Sequence, residues 1–319
     1  MTLADVHAAR QRIAPYIRRT PLVDSSWLSH LAGAPVTLKL ESLQITGSFK
    51  ARGALNAAAR LERSEGGNGE AHRLVTASAG NHGRALAYAA ERMGLRLVVF
   101  TPRDAPRAKL DHIAAHGADL RAIAPTYEDA ERLAKEYAAA ERLTYISPYS
   151  HPDVIAGAAT VALEILEERP ETDTILVPVG GGGLIGGIAA AARAVSDRIE
   201  IIGVEAEASP AFHTSLAAGR ITEVEVRPTL ADGLAGNMDP ATITFDYVRR
   251  YVDRVVLAPE RAIEAAVREL AVREHVVSEG AGATAVAALV DGMQLAGRQV
   301  AVVVSGSNID AARLARLLS

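Results

Sequence analysis

The chain has 319 residues, 49% of them hydrophobic, and a net charge of −4 from 34 basic and 38 acidic residues. This composition fits one large or two medium globular domains, excludes a disordered chain and shows no basic run typical of a nucleic-acid surface. The lack of cysteine excludes disulfides, thiolate nucleophiles and Cys-ligated zinc. With no apolar stretch of about 18 residues and no apolar signal core at the N-terminus, we expect a cytoplasmic protein that binds no membrane.

Short β-branched runs alternate with alanine-rich helical runs along the chain. Strands are predicted at 73–78, 96–102, 118–125, 174–180, 199–207 and 299–306. Helices are predicted at 82–93, 105–116, 128–140, 154–169, 184–195, 260–275 and 280–290, with a short one at the C-terminus. Such alternation predicts an α/β fold, with a parallel sheet and helices on both faces.

Two irregular stretches interrupt this pattern. The segment 63–70 is rich in glycine and charge, and it is interpreted as a boundary between structural units. The segment 227–242 is rich in Gly, Asp, Asn and Pro and too long for an ordinary turn. Long loops of this kind often carry function in compact domains.

The stretch VPVGGGGLIGG, Val177–Gly187, lies where a predicted strand turns into a helix. Consecutive glycines let the backbone approach a ligand closely, and the helix offers free N–H groups, so a phosphate cradle is predicted. The stretch also matches Gly-x-Gly-x-x-Gly through Gly181, Gly183 and Gly186. Glu205 follows 19 residues later, close to the spacing of a ribose-binding acid, so a dinucleotide-dependent oxidoreductase stays open on local evidence.

Two further loops end predicted strands in small polar residues. In Thr76–Ala85, Ser78 or Asn81 could cap the next helix, or the loop could bind an anion such as a carboxylate, and both interpretations stay open. In Val302–Asp310, a buried strand ends at Ser305. Because ligands collect at the carboxyl ends of parallel strands, we expect these loops to converge on one crevice with the glycine loop.

Lys50 lies in the stretch ITGSFKARGA, straight after an aromatic residue and among small ones. The motifs SFKARGA, SAGNHG, GGGG and SGSN, in this order, resemble the fold-type-II pyridoxal-phosphate enzymes, chiefly the threonine/serine dehydratases (ammonia-lyases) and serine racemases. The resemblance runs from about Pro21 to Asp310. It implies pyridoxal 5′-phosphate as cofactor and a two-domain, tryptophan synthase β-like α/β fold with open parallel or mixed sheets.

The resemblance implies a role for each motif residue. Lys50 would be the catalytic residue, joined to the cofactor as a Schiff base and later moving the α-proton. The cofactor would be bound by Phe49, Lys50, Asn81, Gly180, Gly181, Gly182, Gly183, Leu184 and Ser305. The substrate would be bound by Ser78, Ala79, Gly80, Asn81, His82 and Gly233. Glu279 falls where relatives keep a glutamate that faces the site.

Two positions separate this chain from the racemases of the group. Racemases carry a serine acid–base group where this chain has Ala79, and a methyl group cannot exchange a proton. Their divalent-cation site pairs a glutamate with an aspartate, whereas here Glu205 is matched with Ala211, so no metal is expected. We therefore expect β-elimination from L-threonine, L-serine or a related β-hydroxy amino acid, giving a 2-oxo acid and ammonia. A racemase and a non-catalytic cofactor-binding protein are the alternatives.

The resemblance also predicts the domain organisation. A discontinuous large domain, 1–70 and 149–319, would carry Lys50 and the glycine loop, and a small domain, 71–148, would swing over the substrate. A homodimer is expected by the same resemblance. The chain ends soon after the SGSN motif without the regulatory extension of biosynthetic threonine deaminases, so no feedback by isoleucine is expected.

Overall fold

The computed structural model of the protein describes residues 1–62 and 73–319. The boundary predicted at 63–70 lies outside the described residues. The helices are α1 Leu3–Ile13, α2 Ser26–Ala32, α3 Lys50–Glu62, α4 Asn81–Arg92, α5 Arg107–Ala114, α6 Tyr127–Glu141, α7 Pro152–Glu168, α8 Gly183–Val195, α9 Ala211–Ala218, α10 Thr244–Tyr251, α11 Glu260–Arg273, α12 Gly280–Val290 and α13 Ala311–Leu318. The strands are β1 Leu22–Asp24, β2 Val36–Leu40, β3 Arg73–Ala77, β4 Arg96–Pro102, β5 Asp119–Ala124, β6 Thr144–Tyr145, β7 Thr174–Pro178, β8 Glu200–Ala206, β9 Arg254–Ala258 and β10 Val300–Val304.

The larger sheet has six strands in the order β1-β2-β10-β7-β8-β9. Every pair is parallel except the edge pair β1–β2, which is antiparallel. The central strands β7 and β10 are buried along their whole length. An uninterrupted apolar run is what a parallel strand covered by helices on both faces requires. The predicted α/β fold with mixed and parallel sheets is therefore confirmed.

The smaller sheet has four parallel strands in the order β5-β4-β3-β6. Its strands all come from the continuous stretch between β3 and β6, with α4, α5 and α6 between them. The strands and helices agree with the propensities of their residues. β-branched and aliphatic runs such as RLVVFTP favour strands, and the alanine-rich runs favour helices.

Glycine residues allow the helices α3, α7 and α8 to lie close together. A Cβ atom on Gly157 of α7 would lie 2.4 Å from the backbone oxygen of Arg52 in α3. A Cβ atom on Gly187 of α8 would lie 2.7 Å from the oxygen of Ile155 in α7. With aromatics at only 4% of the chain, small residues rather than large rings fill the core.

The elements predicted between residues 73 and 207 are present, and those at 260–275, 280–290 and 299–306 are present too. The sequence analysis assigned no element before residue 73, where the structure has α1, β1, α2, β2 and α3. It also missed β6, α9, α10 and β9, which are short segments without a long periodic pattern. The segment 227–242 forms neither helix nor strand, as predicted. None of the helices in the described ranges is long and apolar enough to cross a membrane.

A buried charge cluster anchors α3 to its neighbours. The Arg52 guanidinium makes two hydrogen bonds to the Glu41 carboxylate, both 2.8 Å, and two to Glu164, at 2.7 and 2.8 Å. Lys39 donates to Glu164 at 2.5 Å and to the Thr20 oxygen at 2.6 Å. Burial alone would disfavour these charges, but the two carboxylates raise the pKa of Arg52, so the pairs stay ionised.

Replacing Arg52 with methionine tests this anchor. The R52M variant keeps the aliphatic chain but leaves two buried carboxylates with one cation, so we expect a loss of about 3–5 kcal/mol in the free energy of unfolding. Urea unfolding followed by circular dichroism measures it. The control R132M removes exposed ion pairs on α6 and should cost less than about 1 kcal/mol. Equal unfolding midpoints for R52M and R132M would show that the cluster does not stabilise the fold.

Candidate active site

Lys50 is the first residue of α3 and lies beside the carboxyl end of β10. The segment leading into it runs along that strand end: Ser48 forms a β-bridge with Gly306, and the Phe49 N–H donates to the Ser305 oxygen at 3.0 Å. The Lys50 amine donates to the backbone oxygen of Pro148 at 2.8 Å. Three of the predicted site residues, Phe49, Lys50 and Ser305, are therefore neighbours.

The environment of Lys50 makes its ammonium group easier to deprotonate than that of an exposed lysine. Burial lowers the pKa of Lys50 to about 8, and the Glu279 carboxylate opposes this shift only in part. The Lys50 Nζ atom lies 5.0 Å from the centre of the Phe49 ring. Because only the unprotonated amine is nucleophilic, a lysine with this pKa is suited to bond a carbonyl group near neutral pH.

The glycine loop joins β7 to α8 and is packed too closely for side chains. A Cβ atom on Gly181 would lie 2.3 Å from the Tyr149 ring, and one on Gly182 would lie 2.5 Å from the Phe212 ring. Gly182 also has φ +81°, a left-handed backbone that glycine adopts without strain. The Gly181 oxygen accepts a hydrogen bond from Thr244 Oγ1 at 2.8 Å. These contacts hold the loop backbone in place from behind.

The open side of this loop presents the N-terminus of α8. The N–H groups of Gly183, Leu184 and Ile185 open the helix and have no carbonyl four residues earlier within it, whereas the Gly186 N–H bonds to Gly182. The helix dipole adds a partial positive charge there. Leu184 packs its side chain into the core, so only its backbone faces the loop. Free N–H groups on a side-chain-free backbone fit a phosphate group.

Pro148 and Tyr149 bring Lys50 and the glycine loop together. Pro148 accepts the Lys50 hydrogen bond, and its neighbour Tyr149 contacts Gly181 and Gly183. The Tyr149 hydroxyl accepts a hydrogen bond from the Asp239 N–H at 3.2 Å. Sequence reasoning missed this segment because ISPYSHP carries no recognised motif. A proline- and serine-flanked tyrosine at a strand end was the available signal.

The loop after β3 leaves the N-terminus of α4 without a side-chain cap. Helix α4 begins at Asn81. The Ser78 hydroxyl accepts a hydrogen bond from Gly80 N–H at 3.2 Å, while the Asn81 amide donates to Glu279 Oε1 at 2.6 Å. A Cβ atom on Gly80 would meet nothing within 4 Å, so open space lies beside it. Ala79, half-buried, stands next to this space.

His82 is a buried, neutral histidine with an unused nitrogen. Its side chain is 2% exposed, and its Nε2 lies 3.4 Å from the Ile146 oxygen. Burial, with the nearby Lys50 cation, lowers the pKa of His82 to about 3. Within the described ranges, the His82 Nδ1 atom has no hydrogen-bond partner. Because buried polar atoms are nearly always satisfied, this nitrogen is a free acceptor for a ligand or a water molecule.

Glu279 precedes α12 and faces the same region. Burial raises the pKa of Glu279 to about 7; the Asn81 amide and Lys50 lower it, and Asp232 raises it. A Cβ atom on Gly306 would lie 2.1 Å from Glu279 Oε1, so the glycine makes room for the carboxylate. This carboxyl group therefore changes protonation near neutral pH, within electrostatic reach of Lys50.

The long loop 227–242 borders the site on another side. A Cβ atom on Gly233 would lie 3.2 Å from the Ala281 Cβ atom, in the first turn of α12. The next residue, Leu234, has its Cα atom 3.0 Å from the Cβ position of Gly180. The structure thus brings together the residues that the sequence analysis selected from five separate motifs.

Glu205 does not join this cluster. Its two carboxylate oxygens accept the N–H groups of Phe212 and His213 at 2.8 and 2.7 Å, so it caps α9. Burial raises the pKa of Glu205 to about 7. The dinucleotide interpretation loses its ribose-binding acid, because both carboxylate oxygens are taken by the helix. Within 1–62 and 73–319, no group of three His, Asp or Glu side chains could hold a metal ion.

The chain is similar over nearly its whole length to known proteins. The family described as "Pyridoxal-phosphate dependent enzyme" matches residues 13–306. The chain is 39% identical over 319 residues to the L-threonine ammonia-lyase of Thermotoga maritima, covering 100% of this chain and 78% of that protein. A solved threonine deaminase from T.th. has a TM-score of 0.86 at 36% identity, covering 97% of this chain and 99% of the other. The serine racemase of Dictyostelium discoideum has a TM-score of 0.86 at 33% identity, with the same coverage.

The low pKa of Lys50 can be measured by chemical labelling. In protein freed of cofactor, reductive methylation with mass-spectrometric peptide mapping should modify Lys50 with a midpoint near pH 8, because its amine is neutral above that pH. Lys135, whose pKa is raised by its ion pairs with Asp239 and Glu131, is the internal control and should label only at higher pH. Identical labelling curves for the two lysines would contradict the assignment.

Proposed function

Because this chain belongs to the pyridoxal-phosphate dependent enzyme family, we propose that it catalyses β-elimination of L-threonine and L-serine, releasing a 2-oxo acid and ammonia. The observation that carries the proposal is the placement of the low-pKa Lys50 amine beside the glycine loop. Relatives named as L-threonine ammonia-lyase support the substrate class. In the net reaction, the substrate loses its α-proton and β-hydroxyl as water, and that water is regained when the released enamine hydrolyses.

The residues of the crevice fit the cofactor. Gly180–Gly183 and the first N–H groups of α8 would hold its phosphate, and Lys50 would bond its aldehyde carbon. Phe49 offers an aromatic surface, and the buried Ser305 hydroxyl lies at the end of β10, where the pyridine nitrogen would meet a neutral partner. When bound, pyridoxal phosphate supplies an aldehyde that captures the substrate amine and a ring that accepts electrons from the α-carbon.

Lys50 would do the proton chemistry. Its amine, neutral above about pH 8, can accept the α-proton once the substrate has displaced it. Burial keeps this amine weakly basic. The charge beside the amine depends on the protonation of the Glu279 carboxyl group, whose pKa is about 7. The same buried surroundings keep His82 neutral. With its single N–H on Nε2, toward the Ile146 oxygen, its Nδ1 accepts a hydrogen bond.

The loop before α4 would bind the substrate carboxylate. The uncapped N-terminus of α4 offers backbone N–H groups and the positive end of a helix dipole. Ser78 and His82 flank it with a hydroxyl and an imidazole. The open space beside Gly80 is where the carboxylate would lie.

Racemisation is the second candidate, favoured by the similarity to serine racemases. It needs an acid–base group on the face of the substrate opposite Lys50. The corresponding position here is Ala79, and its methyl group cannot carry a proton. Chiral chromatography of reactions with L-serine measures this activity, and formation of D-serine at a rate similar to ammonia release would favour the racemase.

We also propose that 71–148 is a small domain that moves over the substrate and that the large domain combines 1–70 with 149–319. The separate four-stranded sheet supports this division. Two ion pairs join the proposed small domain to the long loop: Lys135 to Asp239 at 2.6 Å and Lys109 to Asp232 at 3.1 Å. Such pairs could hold the closed form. A cytoplasmic homodimer is proposed from the sequence resemblance alone, and light scattering of the purified protein tests the dimer.

Removing the Lys50 amine tests the function directly. The K50A variant should lose the visible absorption band of the bound cofactor and should release ammonia from L-threonine and L-serine at least about a thousandfold more slowly, because base and attachment point are lost together. Coupled ammonia assays measure the rates. The surface variant R132A is the control. Ammonia release by wild-type protein without pyridoxal phosphate, or none with it, would contradict the proposal.

A methyl group placed beside Gly80 tests the substrate pocket. The G80A methyl meets no protein atom within 4 Å, but the ψ of −145° lies outside the usual β region, so we expect a loss of about 1 kcal/mol in the free energy of unfolding with the fold retained. The methyl should occupy carboxylate space and raise KM for L-threonine at least about tenfold, with cofactor affinity unchanged. Steady-state kinetics and cofactor titration separate these effects. An unchanged KM would place the carboxylate elsewhere.

A further inference from the structure

A chain of four hydrogen-bonded side chains runs from the surface of α4 into the candidate active site. Arg84 Nη1 donates to Asn308 Oδ1 at 2.7 Å. Asn308 Nδ2 donates to Asn81 Oδ1 at 2.6 Å, and Asn81 Nδ2 donates to Glu279 Oε1 at 2.6 Å. Of these four residues, Arg84 and Asn308 have no role in the function proposed above.

The chemistry of Arg84 gives this chain a direction. A guanidinium can only donate hydrogen bonds, so Asn308 turns its oxygen to Arg84 and its Nδ2 to Asn81 Oδ1, whatever the protonation of Glu279. The two amides between Arg84 and Glu279 must therefore point the same way, each with its oxygen toward the arginine. A second contact agrees, because Asn308 Nδ2 also donates to the Thr46 oxygen at 3.0 Å.

The packing around Asn308 indicates that the contact is built into the fold. Gly47, with φ +73°, lies against it, and a Cβ atom there would be 2.6 Å from Asn308 Oδ1. Arg84 is half-buried, and burial lowers its pKa. Within the described part of the chain, Arg84 has no carboxylate within ion-pair distance, and Asn308 is its side-chain hydrogen-bond partner.

The chain also crosses between the two sheets. Arg84 and Asn81 belong to α4, which follows β3 of the smaller sheet. Asn308 follows β10, and Glu279 precedes α12; both are attached to the larger sheet. The orientation of Asn81 in the site therefore depends on groups from the opposite side of the crevice.

We propose that Arg84 is a positioning residue: through Asn308 it fixes the Asn81 amide so that its Nδ2 donor, and not its oxygen, faces the crevice. This inference rests on the proposed function: of the cofactor-binding residues that the sequence resemblance implies, Asn81 is the one that would donate to the ring hydroxyl of pyridoxal phosphate. An amide that could flip would present an acceptor to that oxygen for part of the time. The bound cofactor would then lose a hydrogen bond and its fixed ring position.

Three variants test the direction of the chain. R84M keeps the aliphatic stem and removes the donors, and it should weaken pyridoxal-phosphate binding to the cofactor-free protein about tenfold. R84K restores a donor-only group and should recover most of the affinity. N308D still accepts from Arg84 but lacks the amide donor to Asn81, so it should weaken binding as much as R84M. The control R92M lies in the last turn of α4 and should match wild type.

Two further measurements separate positioning from general damage. The double variant R84M/N308D should bind the cofactor no more weakly than the worse single variant, because both changes break the same chain. In the cofactor-free protein, the side-chain amide NMR signals of Asn81, identified from an N81D spectrum, should be single in wild type and R84K and shifted or doubled in R84M. Thermal unfolding checks that each variant is folded; if R84M is not, R84K and N308D decide.

Unchanged affinity and unchanged Asn81 signals in R84M would overturn the inference, as would additive losses in the double variant. This outcome is distinct from failure of the proposed function. In that case the wild-type protein itself would bind no pyridoxal phosphate or release no ammonia, whatever residue stands at position 84.

Discussion

The buried ion pairs of Arg52 are the constraint on which the candidate site depends. Lys50 and Arg52 are two residues apart on α3, so their side chains leave the helix about 200° apart. Arg52 points into the core, where Glu41 and Glu164 each bind it through two hydrogen bonds. Lys50 consequently faces the crevice, toward Pro148. The spacing of the two cations in SFKARGA thus separates an anchor from a reactive amine.

The crevice itself arises because parallel strands end at the same edge of a sheet. The loop after β10 of the larger sheet is joined to the loop after β3 of the smaller one by the hydrogen bond from Asn308 to Asn81. The loop after β7 lies against Tyr149, which follows Pro148, the hydrogen-bond partner of Lys50. Close packing allows only glycine at the positions where a ligand must approach the backbone. Gly181 lies against the Tyr149 ring, and no β-carbon would fit between them. The loop backbone is therefore packed against Tyr149 on one side and can contact a ligand on the other.

Burial adjusts the acid–base properties of this crevice. It lowers the pKa of Lys50 to about 8 and of His82 to about 3, and raises that of Glu279 to about 7. Each shift has the same cause: a charged group is less stable when it is removed from water. Lys50 and Glu279 carry opposite charges, so each reduces the pKa shift of the other. A weakly basic amine beside a neutral imidazole suits proton removal from carbon near neutral pH.

The sequence by itself determined the α/β fold and the positions of the glycine loop, of Lys50 and of the loop at Asn81, because strand–helix alternation and the order of short motifs can be read along the chain. It left the loop at Asn81 undecided between a helix cap and a binding site, and it gave Glu205 a possible ligand role. Only the tertiary structure shows that no side chain caps α4, since the Asn81 amide donates to Glu279, and that both Glu205 oxygens bond to α9. The packing of Tyr149 against the glycine loop and the hydrogen bonds from Arg84 through Asn308 to Asn81 became visible only there, because contacts between residues far apart in sequence leave no local pattern.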